Sequence, residues 1–165
     1  MQTKQLTIKT QPLKMNTCAF TGHRVLESDF SARALKKEVE NLILKGAETF
    51  LNGMAMGFDL IAAETVLKLK KKYPFIKLIA CIPCYNQERG FSERDKKRYA
   101  RILKKADAAE LISENYFNGC MQKRDRYMAD RADALVAYLK KEKGGTAYTV
   151  KYFQKKYPEK EIIFL

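Results

Sequence analysis

The sequence is short of the residues on which several kinds of protein depend. Histidine occurs once, as His23, and cysteine four times, as Cys18, Cys81, Cys84 and Cys120, in a chain of 165 residues. So few cysteines cannot build a disulfide scaffold, and reduced thiols suit a cytosolic protein. Cys81-Ile82-Pro83-Cys84 has Cys-x-x-Cys spacing, but no second pair and no histidine stand where they would complete a zinc site, so no metal is expected. No apolar run approaches the roughly 20 residues of a membrane span, and the amino terminus lacks the apolar core of a signal peptide. A cytoplasmic protein with no membrane partner is therefore expected. Acidic residues are scarce too: 19 stand against 32 lysines and arginines, leaving a formal charge of +13. That excess fits an anionic partner such as nucleic acid, or a lysine-coated soluble surface. The cations are spread over Lys36 and Lys37, Lys68 to Lys72, Lys96 to Arg98, Lys104 and Lys105, and Lys155 and Lys156, which favours solvated helix faces.

What is present is an apolar content of 46%, enough to exclude a disordered chain and to bury a core of five or six strands with covering helices. Residues 1–14 are polar and without clear periodicity, and read as a loose leader or an edge strand over Leu6 to Thr10. From Met15 the chain alternates strand and helix. Cys18-Ala19-Phe20 breaks off at Thr21-Gly22-His23-Arg24, the pattern of a first strand and its loop. Ser28 with Asp29 is expected to cap the first helix, which Gly46 ends. Strands are expected over 47–51, 76–82, 108–112, 134–138 and 162–165. Helices follow the first four of these strands, with Ser92 and Asp95 at capping spacing for the third helix of the chain and a fourth helix from Cys120 to Arg131. Such alternation predicts a three-layer α/β Rossmann-like sandwich with a mostly parallel sheet of about six strands. The fold class leads us to expect the strand order 3-2-1-4-5 with the last strand at an edge, and the loops after the first and fourth strands flanking the crevice.

Ligands of open parallel sheets bind at the carboxyl edge, which places His23 and Arg24 where chemistry usually is. Gly53 and Gly57 lie between a strand and a helix amino terminus, where backbone free of side chains lets amides approach a phosphate. Gly144-Gly145-Thr146 repeats that arrangement near the carboxyl end. Neither stretch is a dinucleotide fingerprint or a Walker loop. Asp59 and Glu64 lie early in a helix, where acids also suit the dipole. Asn86 and Gln87 follow a strand and are candidates to read a base or a ribose hydroxyl. Arg124 and Arg126 point in different directions on a helix, so one of them is expected at the site and the other at the surface or paired with Asp130. The aromatics follow core periodicity, and no base-stacking platform is expected.

Thr21-Gly22-His23-Arg24, the segment from Gly53 to Glu64, the turn from Pro83 to Gln87, Arg124 to Met128 with Asp130 and Asp133, and Gly144-Gly145-Thr146 occur together in an order that closely resembles the YpsA-like and YoqJ-like branch of the SLOG superfamily. That superfamily unites the DNA-processing protein DprA with the LOG enzymes, and the resemblance covers about Met15 to Leu165. It implies one Rossmann-like domain that binds or senses a nucleotide or nucleotide-derived ligand, ADP-ribose-like molecules being favoured. The residues it assigns to ligand binding are Thr21, Gly22, His23, Arg24, Gly53, Met54, Ala55, Gly57, Asp59, Glu64, Pro83, Asn86, Gln87, Arg124, Gly144, Gly145 and Thr146, with Arg124 chosen over Arg126. The LOG enzymes carry Pro-Gly-Gly-x-Gly-Thr-x-x-Glu, and this chain departs from that pattern. Lys143 replaces the proline, Ala147 and Tyr148 the third glycine and the threonine, and Lys151 the glutamate, which weakens a nucleotide N-glycosidase reading. Glu64 is then the candidate to supply a catalytic carboxylate. Single-stranded DNA binding of the DprA kind and self-association stay open beside these readings.

Overall fold

The computed structural model describes residues 15–165, so the expected leader or edge strand lies outside the described residues. Strand β1 (Thr17–Gly22) is followed by α1 (Ala32–Leu44), β2 (Thr49–Asn52), α2 (Phe58–Lys70), β3 (Lys77–Ile82), a 3₁₀ turn (Gln87–Gly90) and α3 (Glu93–Lys105). The chain then runs through β4 (Ala108–Leu111), α4 (Cys120–Arg131), β5 (Ala134–Tyr138), α5 (Gly145–Lys156) and β6 (Glu161–Phe164). All six strands pair in parallel, giving the Rossmann-like α/β sandwich that the alternation predicts.

The strand order is β4-β3-β2-β1-β5-β6. The last strand lies at an edge as expected, but the fourth lies beside the third and not beside the first, which corrects the expected order. Strand composition gives the physical reason. Ala108-Ala109-Glu110-Leu111 is exposed at every position, whereas Ala134-Leu135-Val136-Ala137-Tyr138 is buried at every position. A strand covered on both faces needs a continuous apolar run, and only the second sequence supplies one next to β1. The chain therefore winds outward from β1 to β4 and returns to β5, and the crevice opens between β1 and β5.

That reversal also sorts the helices. Side chains of α1, α2 and α3 share one core with Phe20, Phe50 and Tyr138, and side chains of α4 and α5 share another with Ala19, Leu135 and Ala137. Successive residues of β1, such as Ala19 and Phe20, thus serve opposite faces of the sheet. At the start of β1 the Asp133 carboxylate accepts from the amides of Asn16 and Thr17 at 3.0 and 2.9 Å, fastening β1 to the entry of β5. The first helix is capped by Ser31, whose hydroxyl accepts from the Ala34 amide at 3.0 Å, and not by Ser28. Asp29 instead accepts from the Lys140 ammonium at 2.8 Å, outside the helix. Ser92 caps α3 as its spacing predicts, accepting from the Asp95 amide at 3.2 Å.

Candidate functional site

The carboxyl ends of β1 and β5 lie side by side, with Thr21 paired to Ala137 and Gly22 to Tyr138. This register sets the loop after β1 against the loop after β5. The Lys140 amide donates to His23 Nε2 at 2.8 Å, which fixes the imidazole as a neutral ring with its proton on Nδ1. Burial, with Lys141 second, holds the His23 pKa below its usual value. The His23 carbonyl in turn accepts from the Phe58 amide at 3.1 Å, joining β1 to the start of α2.

Two glycines permit that junction. A Cβ on Gly22 would stand 2.3 Å from the Phe58 ring, and one on Gly57 would stand 2.1 Å from the Arg24 carbonyl oxygen. Gly57 also has φ +77°, which disfavours a side chain. Gly53 serves a different neighbour: a Cβ there would fall 2.7 to 2.9 Å from atoms of the Arg124 guanidinium.

Arg124 is 5% exposed and projects from α4 onto Gly53. Its Nη1 donates to the Gly53 carbonyl and its Nε to Asp125 at 2.7 Å, while Nη2 has no acceptor among the described residues. Gln87 Nε2 donates to the same carbonyl at 3.0 Å, so the Gly53 oxygen holds two side chains. Burial opposes the Arg124 cation, but Asp125 and Asp59 together outweigh it, and the guanidinium stays charged. Asp59, 6% exposed, accepts from the Ala55 amide at 3.2 Å, and its Oδ1 has no hydrogen-bond partner among the described residues. Burial pushes its pKa up to about 7 against the pull of Arg124. Asn52 ties the segment together by accepting from the Met54 amide at 2.8 Å, which holds Met54 at φ 58°.

These groups surround a cleft of about 370 Å³. Of the residues assigned from sequence, the structure brings Thr21, Gly22, His23, Arg24, Gly53, Ala55, Asp59, Arg124, Gly145 and Thr146 together as its lining. Gly57, Gln87 and Gly144 stand behind it as a loop junction, a support for Gly53 and a helix cap. Met54 is buried in the core. Pro83 does not reach the cleft, and Asn86 lines a separate surface depression with Glu88, Arg89 and Lys96. Glu64 is also elsewhere, on the outer face of α2, where Arg98 clasps it at 2.8 and 3.0 Å. Lys151 reaches the Glu142 carbonyl at 3.4 Å. Arg126 donates to the Tyr148 hydroxyl at 2.8 Å and not to Asp130, which is engaged by Tyr152, Tyr157 and Lys156.

The loop between β4 and α4 flanks the crevice as expected, although β4 is not beside β1, but none of its residues was singled out from sequence. Tyr116, Phe117, Asn118, Gly119, Cys120, Met121 and Gln122 all line the cleft, with Asp125 and Met128 of the helix itself. Tyr116 and Phe117 are 71% and 43% exposed, contrary to the expectation that the aromatics are core residues. The signal was Gly119, a glycine at a helix entry like Gly57 and Gly144.

The helix ends show a consistent division. The two helices that begin away from the cleft are capped by serine side chains, whereas α2, α4 and α5 begin at Gly57, Gly119 and Gly144 with no side-chain cap. At α2 the first-turn acid Asp59 meets the dipole, but α4 and α5 have no acid in their first turns. The amides of Met121, Gln122, Gly145, Thr146 and Ala147 have no acceptor among the described residues. Two helix termini with free donors and uncompensated dipoles therefore meet at one cleft, beside two arginines.

The model of the YspA SLOG family matches residues 20–164. The chain belongs to that family. Similar curated relatives include the uncharacterized SPbeta prophage-derived protein YoqJ of Bacillus subtilis, 34% identical over 132 residues, covering 72% of this chain and 77% of that one. A UPF0398 protein of Halalkalibacterium halodurans is 33% identical over 116 residues, and the match spans 69% of this chain but only 61% of the relative. YpsA of Bacillus subtilis is 26% identical over 144 residues and 80% of each chain. The fold is similar to DprA from Streptococcus pneumoniae, with TM-score 0.65, 16% identity, and coverage of 92% of this SLOG chain and 50% of DprA. It matches DprA from Helicobacter pylori, a structure that describes that protein's single-stranded DNA binding mode, at TM-score 0.65 and 19% identity over 92% of this chain and 65% of that one.

Proposed function

We propose that this SLOG chain binds a phosphate-bearing nucleotide derivative in the cleft between β1 and β5, as a binding or sensing module. The reading rests on one observation: the glycine-capped starts of α4 and α5 bring Met121, Gln122, Gly145 and Thr146, whose amides have no acceptor among the described residues, to the same cleft that Arg24 and Arg124 line. Backbone donors and a helix dipole favour an anion, and a buried guanidinium adds a charge-assisted contact. ADP-ribose, AMP and NAD are the probes of choice, because each carries phosphate next to ribose. Isothermal titration should give saturable heat with at least one of them. Arg24→Ala should weaken that binding by about tenfold to a hundredfold, the worth of a hydrogen bond to a charged group. No heat with any of the three, or an unchanged affinity in Arg24→Ala, would remove the proposal.

An N-glycosidase of the LOG kind finds less support. Glu64 is already paired with Arg98, and the carboxylates that line the cleft are Asp59 and Asp125, the latter paired with Arg124.

A second surface favours nucleic acid. The cations that look scattered in sequence gather where α2 packs on α3, since Lys68, Lys71, Arg94, Lys97, Arg98, Arg101 and Lys105 line two adjoining depressions with Glu64 as their one acid. Helical spacing on both elements turns these side chains to a common face. If about four phosphates are neutralised there, affinity for single-stranded DNA should fall with salt at a log–log slope near −3. Binding that is absent at low salt, or indifferent to salt, would exclude this face as a nucleic-acid surface.

A further inference from the structure

The loop between β4 and α4 places two aromatic rings on the rim of the anion-friendly cleft. Tyr116 and Phe117 are 71% and 43% exposed, and neither ring has an aromatic partner among the described residues. Elsewhere Phe20, Phe50, Phe58 and Tyr138 stack with one another in the core. The loop is anchored at both ends. The Tyr85 amide donates to the Glu114 carbonyl at 3.2 Å, and the Cys120 amide to the Phe117 carbonyl at 3.0 Å. Phe117 therefore closes the turn that delivers the free amides of Met121 and Gln122. Leaving large apolar rings in water is costly, and here they are held beside hydrogen-bond donors on one wall of a cleft.

We infer that Tyr116 and Phe117 form a nucleobase platform, so that the cleft selects ligands carrying a base and not merely a phosphorylated sugar. This rests on the phosphate-binding reading above and adds the specificity of the same site. An aromatic face stacks on the π-face of any base with little demand for particular hydrogen bonds, and it would act while the phosphate is held at the helix ends. Lys123 Nζ lies over one face of the Phe117 ring, 5.9 Å from its centre, so a base stacking on that face would displace the ammonium.

The chain has no tryptophan, so Tyr116→Trp installs a single fluorophore at the platform. AMP should quench its emission on binding, and ribose 5-phosphate should not. In separate titrations the double variant Tyr116→Ala/Phe117→Ala should lose about 5- to 150-fold in affinity for AMP. Its affinity for ribose 5-phosphate should match that of the unaltered protein, and Tyr116→Phe should restore most of the AMP binding when made alone. Because both side chains are exposed, the fold is spared, and unchanged far-ultraviolet circular dichroism checks this. Equal affinity of the unaltered protein for AMP and ribose 5-phosphate would overturn the platform while leaving phosphate binding intact. Undiminished AMP binding by the double alanine variant would do the same. Failure of both compounds to bind the unaltered protein overturns the platform, and failure of ADP-ribose and NAD as well removes the phosphate reading with it.

Discussion

Replacing Gly53 with alanine probes the packing that holds Arg124 at the cleft. The added Cβ would lie 2.7 to 2.9 Å from Nη1, Cζ and Nε of the guanidinium, closer than van der Waals contact allows, and the group is 5% exposed with little room to retreat. Arg124 must then give up its bond to the Gly53 carbonyl. A hydrogen bond from a charged donor contributes about 1.5 to 3 kcal/mol, and displacing a buried cation from its partners adds to that. A loss of about 3 kcal/mol is expected, equivalent to a fall of about 6 to 12 °C in the unfolding midpoint of a chain this size. Urea denaturation followed by circular dichroism measures it. Gly90→Ala is the control, since a Cβ there meets nothing within 4 Å. In an Arg124→Met background the alanine should cost at least about 1 kcal/mol less, because the colliding group is gone and Gln87 still serves the carbonyl. If Gly53→Ala and Gly90→Ala were equally mild, or if the cost persisted without Arg124, the guanidinium would not be what excludes a side chain from position 53.

Asp59 should make stability depend on pH in the unusual direction. Its pKa is raised from 3.8 to about 7 by burial, so between those values the unfolded chain releases the proton first and stability falls as pH rises, by at most about 4 kcal/mol. Asp59→Asn should therefore stabilise the protein above pH 7 and change it little below 3.8, and an equal effect at both ends would reject the assignment. His23 has the opposite sign. Its pKa is lowered from 6.5, so the unfolded chain takes up a proton first and stability is lost on the acid side of that value. His23→Gln, which keeps an acceptor for the Lys140 amide, should flatten this part of the profile, as difference denaturation curves would show. Burial pushes the thiols of Cys18 and Cys81 up to about 12, so both should resist iodoacetamide in the folded protein and react in urea. Alkylation of either under native conditions would contradict the packing of the central sheet.

Local rules made much of the site legible. The turn after β1 and the glycines at 53, 57, 144 and 145 follow from where apolar runs stop, and Ser92 announces α3 through its spacing from Asp95. The reasons behind the glycines were not legible, because they depend on distant neighbours. Gly22 makes room for Phe58, Gly57 for the Arg24 backbone and Gly53 for a side chain 71 positions away. Strand order was missed for a related reason, since fold-class analogy was followed where the composition of β4 and β5 was the better guide. Glu64 looked like a spare carboxylate because its partner Arg98 lies 34 residues on, across the α2–α3 contact. Tyr116 and Phe117 resemble core residues in a linear reading, and only the tertiary fold reveals that β4 is an edge strand whose following loop returns over the cleft.

If the free amides at two separate helix starts act as one cradle, amide-resolved nuclear magnetic resonance during an AMP titration will register both helices at once. Met121 and Gln122 of α4 should shift together with Gly145, Thr146 and Ala147 of α5, along a single binding curve. Shifts at one helix alone, or at neither while the outer face of α3 responds, would contradict it.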